Sequence, residues 1–312
     1  MQKFVTHSGA FHADDVFAAA LLTTIFPLAA GREIIRTRDQ AIIEEHLAKE
    51  DSLVFDIGHG EFDHHQKGGN GTRVNGIPYA SFGLIWNKFA AQYIELWLKS
   101  IGLQPYRELF VDIDIKRIIS MVDTVLVQPV DSYDNGVDIH TNKFESISPL
   151  TISQVVFGFN APWFIAPDDD TGMQDFLSAV AFAQKQISRT VEFVVGVISA
   201  ESIVKNAIDN AEIPEIIVLD RGLPWKRSVI ENSKKALFVV SDMGDTWIIN
   251  TVPIDTTSKT SRRDLPKHWA GLKDKDLALV TGVDDAVFCH NNLFIAGAKS
   301  KEGALKMAEL SL

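Results

Sequence analysis

Leu53-Val54-Phe55-Asp56-Ile57-Gly58-His59-Gly60-Glu61-Phe62-Asp63-His64-His65 is the stretch from which the rest of the chain is read. Its first three residues form a short apolar run, which reads as a buried strand. The run stops at Asp56, and Gly58 and Gly60 loosen the backbone before Asp63, His64 and His65 follow in succession. In an open α/β sheet, polar residues just past the carboxyl end of a strand stand where ligands bind. A carboxylate beside two imidazoles in that place suits a divalent cation. Asp-His-His alone is a weak signal, since a solvated loop supplies such a triplet by chance. Its surroundings strengthen it: of nine histidines, His7, His12, His59, His64 and His65 all fall in this first part of the chain.

Working outward, Lys3 to Thr6 reads as a short strand and Ala13 to Phe26 as an apolar helix, with a polar turn between them. Asp14 and Asp15 sit in the first helical turn, where negative charge suits the helix dipole. That explains the two acids but not the two histidines, His7 and His12, that flank them. Glu33 to Arg36 and Leu53 to Phe55 complete three strands, with a helix over Asp39 to Lys49. This alternation predicts a doubly wound, mainly parallel sheet. Gln66 to Arg73 is glycine-rich; it is either a plain loop or a phosphate-approaching one with Lys67 and Arg73 as its charges. A helix opened by Pro78 and closed by Gly102 carries Phe82, Trp86, Phe89, Tyr93 and Trp97 at core spacing. Tyr106 to Thr124 reads as another helix.

Val130 to Gly136 is either a turn, on its Asp-Asn-Gly chemistry, or the carrier of a carboxylate, Asp131, folded back onto the metal site. A long helical pattern from Asp168 to Asn210 connects to short strands within 215–220, 236–242, 246–252 and 286–289, and to a helix from Lys301. The expected architecture is an N-terminal α/β domain with its connector helix, 1–205, followed by a smaller α/β domain, 206–312.

The formal charge of −11 argues against a protein that coats long nucleic acid. It allows a nucleotide or short oligonucleotide met locally by metal ions and a few Arg or Lys. The single cysteine, Cys289, precludes an internal disulfide and reads as a buried thiol. No targeting segment is visible, and the apolar window Val16 to Ala30 is too short to span a bilayer. The expectation is a cytoplasmic protein with no membrane partner; a homodimer is compatible with the sequence, which leaves the oligomeric state open.

His7, His12, Asp14, Asp56, His64 and Asp131 supply nitrogen and oxygen donors without a thiolate, which favours Mn²⁺ or Mg²⁺ over structural zinc. Two such cations would activate water and bind phosphate oxygens. Asp15, Asp123 and Asp134 stand as alternative ligands. There is no nucleophile-elbow G-x-S-x-G, no P-loop and no dinucleotide fingerprint after the first strand.

Phe11 to Ala19 (FHADDVFAA), Asp56-Ile57-Gly58 with Phe62 to Gln66 (FDHHQ), and Val130 to Gly136 (VDSYDNG) resemble the melanocyte proliferating gene protein family. That family was formerly known as a metal-dependent protein hydrolase family and lies in the DHH phosphoesterase superfamily. The C-terminal runs Arg262 to Leu272 and Thr281 to Ala308 are similar too, so the likeness covers nearly the whole chain. The resemblance implies a DHH-type catalytic domain with two Mn²⁺ or Mg²⁺ ions and a C-terminal domain that closes over it to help bind substrate. It implies hydrolysis of phosphodiesters or pyrophosphate; eukaryotic relatives are described as 3′–5′ RNA exonucleases. Carried over, His7 and His12 would hold one metal, Asp14, His64 and Asp131 the other, and Asp56 would bridge them. His65 would face the scissile phosphate, with Asp63 orienting a histidine. His12 replaces the first aspartate of the Asp-x-Asp pair common in the superfamily. Arg262, Arg263, His290 and Lys299 are the C-terminal candidates for substrate contact. The expected function is metal-dependent hydrolysis of short RNA, oligonucleotides or a small nucleotide. A pyrophosphatase or amide hydrolase on the same centre, and a non-catalytic metal- or nucleotide-binding regulator, are the alternatives.

Overall fold

The central strand of the N-terminal sheet is β1, Lys3–Thr6, and its alternating side chains set the two layers around it. It is followed by α1 (Ala13–Ile25), β2 (Glu33–Arg36), α2 (Gln40–Leu47) and β3 (Ser52–Val54). All pairings are parallel and the strand order is β2-β1-β3. The chain therefore steps outward from β1 to β2, then back past β1 to β3. Right-handed crossovers in opposite directions put α1 and α2 on opposite faces of the sheet. The side chains agree: Phe4 meets Phe26, just beyond α1, with ring centroids 6.3 Å apart. Its neighbour Val5 packs on the other face with Ile43 of α2 and Val54. The order reverses between β1 and β3, the crevice where open α/β sheets bind ligands.

The computed structural model describes residues 3–28, 32–100, 114–165 and 169–312. They divide into two units, Met1–Val194 and Val195–Leu312. In the first, nearly every residue of α1 is buried, polar ones included. Its alanine-rich middle lies against α3 (Ser81–Ser100), where Phe17 and Phe82 rings stand 5.2 Å apart. The stripe Phe82, Trp86, Phe89, Tyr93 and Trp97 is buried, each ring contributing roughly 1.5–3 kcal/mol on leaving water. A continuous helical segment follows: α4 (Ile115–Val122), a π turn (Asp123–Val127) and α5 (Gln128–Asp134). Then come α6 (Ile152–Phe157) and α7 (Asp169–Asp209), whose Phe176, Val180, Ala183, Ile187 and Val191 are buried at helical spacing.

The second unit continues with β4 (Ile216–Leu219), α8 (Lys226–Asn232), β5 (Phe238–Asp242), β6 (Trp247–Thr251), α9 (Asp274–Thr281), β7 (Ala286–Cys289), β8 (Ile295–Ala298) and α10 (Lys301–Glu309). Its sheet order is β4-β5-β6-β8-β7, with β4 and β5 parallel and the other pairs antiparallel. Phe238, Val240, Ile249, Trp269, Leu277 and Met307 centre its core. Cys289 is a buried free thiol, pushed up to about 11 by burial.

Three expectations need correction. Val130 to Gly136 is not a turn through most of its length: α5 runs to Asp134, with Pro129 in its first turn, where proline fits. The helix after Pro78 begins at Ser81. Ile295 to Ala298 is a strand that its composition hides, since small residues carry weak strand preference. Gly297 is small there because a Cβ would stand 2.9 Å from the Phe288 ring. The helix expected from Tyr106 and the stop at Gly102 lie partly or wholly outside the described residues.

Candidate metal centre

His7 leaves the carboxyl end of β1 and is almost fully buried. Its Nε2 stands 3.2 Å from Asp56 Oδ2 and 3.4 Å from Asp15 Oδ2. Burial works against charge on this imidazole, but the Asp56 hydrogen bond and the Asp15 and Asp56 charges outweigh it and raise its pKa. Asp15 serves two purposes. Its Oδ1 accepts from the His12 backbone N–H at 2.9 Å, capping α1, while Oδ2 faces His7. Burial raises its pKa, against the opposing pull of His7.

The second contribution comes from the loop after β3. Asp56 takes a positive φ of 59°, uncommon for a residue with a side chain, and its N–H donates to the Phe62 carbonyl at 3.0 Å. That bond brings Phe62 beside Phe55 and returns Asp63, His64 and His65 to Asp56. Asn70 fastens the return, its Nδ2 donating to the Glu61 and Asp63 carbonyls at 2.9 Å each. Gly58 is required at the bend: its φ is +84°, and a Cβ would meet Ile43 Cγ2 at 2.7 Å.

Asp56 faces two ways. Oδ2 points to His7; Oδ1 accepts from Ser81 Oγ at 3.1 Å and lies 3.7 Å from His64 Nδ1 and 3.6 Å from His65 Nδ1. Buried Asp63 holds His65 by a 2.7 Å contact between Oδ1 and Nδ1. Burial resists the Asp63 charge, yet hydrogen bonds from the His65 ring and from the His65 and His59 amides hold its pKa well below the carboxylate range. In return the Asp63 hydrogen bond raises His65, whose ring is half exposed.

Asp14 carries the test of whether a cation fits. It is fully buried, and neither carboxylate oxygen has a hydrogen-bond donor. Burial, then the charges of Asp56, Asp134 and Asp15, raise its pKa well above the usual carboxylate value. Asp134 holds its own charge below that range despite burial, through a 2.9 Å contact with His64 Nε2. A buried carboxyl pressed against a carboxylate, with two orphaned oxygens, is costly unless a proton or a cation lies between them. Helix-dipole placement alone does not require it. The donors gather in three groups within coordination reach: His7, Asp15 and Asp56; His12, Asp14 and Asp134; and Asp56, Asp63, His64 and His65. The residues present fit divalent cations.

Asp131 and Arg73, assigned by sequence to metal and substrate, meet each other instead. Arg73 is buried, with Nη2 2.7 Å from Asp131 Oδ2 and 2.8 Å from Asp123 Oδ1, while its guanidinium lies over the Tyr79 ring. Asp131 Oδ1 accepts from the Gly83 N–H at 3.0 Å. Asp134, one turn further along α5, stands with His12 and Asp14 in a group that could hold a metal ion. The reason is azimuthal: on a helix entered through a π turn, Asp131 faces α3 and Asp134 faces α1.

His12 is exposed, its ring stacked parallel to Phe157. Lys67 is exposed on its loop. In the second unit, Arg262 spends its guanidinium on the backbone carbonyls of Ser233, Ala236 and Ile230, so its charge knits that unit together. Arg263 reaches the Ser311 carbonyl at 3.4 Å, His290 accepts from the Asn292 N–H, and Lys299 is exposed. Sequence reasoning passed over Ser81, which braces Asp56. It also passed over Arg38, whose signal was its position just past the end of β2. No helix among the described residues is long and apolar enough to cross a membrane.

The model of the uncharacterised protein family UPF0160 matches residues 3–312. A MYG1 protein of Dictyostelium discoideum is 31% identical over 97% of this chain and 94% of its own length. The MYG1 exonuclease of Homo sapiens is 30% identical over 98% of this chain and 85% of its own. Among solved structures, RecJ from Thermus thermophilus in complex with Mn²⁺ is a distant likeness: 12% identity, TM-score 0.28, covering 99% of this chain and 52% of that one.

Proposed function

The chain belongs to the UPF0160 family, and from that premise we propose that it is a metal-dependent phosphoesterase that cuts phosphodiester bonds of short RNA, oligonucleotides or a small nucleotide. The observation that carries the reading is Asp14, buried with no donor group at either oxygen and pressed against the Asp134 carboxylate. The relatives named MYG1 exonuclease support the substrate class.

In this proposal His7, Asp15 and Asp56 hold one cation, and His12, Asp14 and Asp134, with His64 adjacent, hold a second. One oxygen of Asp56 faces His7 and the other lies 3.7 Å from His64 Nδ1. The donors suit Mn²⁺, with Mg²⁺ the alternative. When bound, the pair of ions supplies an activated water and a clamp on phosphate oxygens. The chain's own part is orientation and proton handling. Asp63 fixes the His65 ring through Nδ1–H and, by raising its pKa, favours the imidazolium, whose Nε2–H would face the phosphate and give its proton to the leaving oxygen. Asp131 acts here as an anchor for α5 through Arg73. The second unit is assigned to substrate binding; Arg263, His290 and Lys299 are its remaining candidates, and Lys67 belongs to the first unit.

The test is a panel of short oligoribonucleotides, dinucleotides and pyrophosphate, with Mn²⁺ and with Mg²⁺, beside Asp56→Asn. Cleavage of the oligonucleotides by the wild type alone is expected. Phosphate release from pyrophosphate with the oligonucleotides untouched would turn the assignment to a pyrophosphatase, and metal binding without turnover to a regulatory protein.

A further inference from the structure

The carboxylates around the centre, Asp14, Asp15, Asp56, Asp63 and Asp134, carry five negative charges when ionised. Two divalent cations leave about one uncompensated. An incoming phosphodiester adds another, so a cation from the protein must meet it. The sequence offered Lys67 and Arg73, but Arg73 is consumed by Asp123 and Asp131. The cleft over the centre, about 340 Å³, is lined by His7, His12, Asp56, Asp63 and His65, and its guanidinium is that of Arg38.

Arg38 follows β2 by two residues, at the carboxyl edge of the sheet beside the end of β1. Its Nε donates to the Ser8 carbonyl at 2.9 Å, and Nη2 lies 3.2 Å from His7 Nδ1. Among the described residues no other acceptor meets its side chain, which is exposed. Nδ1 lies within reach of both the Ser8 carbonyl and Nη2, and cannot donate to the one while accepting from the other. His7 turns Nε2 toward Asp15 and Asp56, so a cation there takes Nε2 and leaves the proton on Nδ1, facing the Ser8 carbonyl at 3.2 Å. Nδ1 then cannot accept from Arg38, because a guanidinium only donates. Nη2 must find another acceptor, while Nε stays fastened at the rim.

We propose that Arg38 is the phosphate-binding cation of this centre, tethered by Ser8 and with Nη2 left free by a His7 that donates from Nδ1, so that its N–H groups meet a substrate phosphate oxygen. This rests on the phosphoesterase reading.

The test uses the full chain loaded with Mn²⁺, and Arg38→Gln and Arg38→Lys beside the wild type. Calorimetry reads the affinity for inorganic phosphate and, separately, for Mn²⁺; kinetics on a short oligoribonucleotide read KM and kcat. Phosphate affinity should fall about tenfold or more in Arg38→Gln and recover in part in Arg38→Lys, which restores the charge but not the fork. Mn²⁺ affinity should stay within about twofold, because Arg38 donates to no ion. KM should rise with little change in kcat. Phosphate affinity that is unchanged, or undetectable in the wild type, overturns the proposal. Mn²⁺ affinity falling in step also overturns it, since Arg38 would then serve only to place His7. If the wild type cuts nothing while phosphate binding still depends on Arg38, the phosphoesterase reading fails and this one stands.

Discussion

Asp14→Asn should stabilise the ion-free protein and destabilise the Mn²⁺-saturated one, relative to wild type. Without a cation, Asp14 is a buried acid beside Asp134, with no donor on either oxygen. It can always relieve the strain by taking a proton, at about 1.4 kcal/mol for each pH unit above its ordinary value. With that ordinary value at 3.8, the burden at pH 7 is capped at about 4 kcal/mol. Asparagine keeps the shape without the charge, and its amide can donate to the ionised Asp134. Its own unmet polar groups cost about 1–3 kcal/mol, which caps the net gain at roughly 1–3 kcal/mol. For a unit of this size that raises Tm by about 2–4 °C per kcal/mol. With Mn²⁺ at about a thousand times Kd, the wild type gains about 4.1 kcal/mol per site. The variant forfeits the Asp14 site, and the order of the two melting curves reverses. Differential scanning calorimetry at pH 7, with EDTA and with Mn²⁺, reads both halves. A variant that melts below the wild type in EDTA and responds equally to Mn²⁺ would make Asp14 a helix-terminal acid and nothing more.

In EDTA the wild type should melt at a higher temperature at pH 5.5 than at pH 8. Asp14 and Asp15 keep protons in the folded chain that the unfolded chain has lost, so stability falls as pH rises from about 4 through their raised values. His7 and His65, also raised, add the same sign above about pH 6.5, while Asp63 is ionised in both states throughout this window. Saturating Mn²⁺ should flatten or invert the slope, because ion binding expels those protons; a slope indifferent to Mn²⁺ would contradict this. Gly83→Ala ought to stabilise an ordinary helix interior by about 1 kcal/mol. Here the new Cβ would stand 1.9 Å from Asp131 Oδ2 and 2.9 Å from Arg73 Nη2. Displacing that buried pair should cost roughly 2–4 kcal/mol in urea denaturation, and a measured gain would refute the packing.

The parts legible from sequence were those decided by neighbours along the chain. The ends of β1 and β2 follow from short apolar runs bounded by polar residues, as does β3 to within one residue at each end. The approach of His7 to Asp56 follows from the two parallel strands that carry them. Asp131 and Asp134 could not be told apart in that way. Which of them faces α1 depends on the azimuth of a helix and on Arg73, which arrives from a remote loop. Arg38 escaped notice because its neighbours Thr37 and Asp39 make it look like surface, and only the register of β1 with β2 puts it beside His7. Arg262 was misjudged in the opposite sense: its partners are backbone carbonyls, which no side-chain pattern announces.

The π turn at Asp123–Val127 gives the centre an unusual dependence on chain length. Such a turn amounts to one residue more than an α-helix would use. Each residue of an α-helix advances the azimuth by about 100°, so loss of a single residue there would swing both downstream carboxylates by more than a quarter turn. Asp134 would leave Asp14, and Asp131 would leave Arg73, although every residue named in the site remained. In this segment a deletion is therefore more damaging than most substitutions, and an alignment that slides a gap through it would pair residues whose side chains point in different directions.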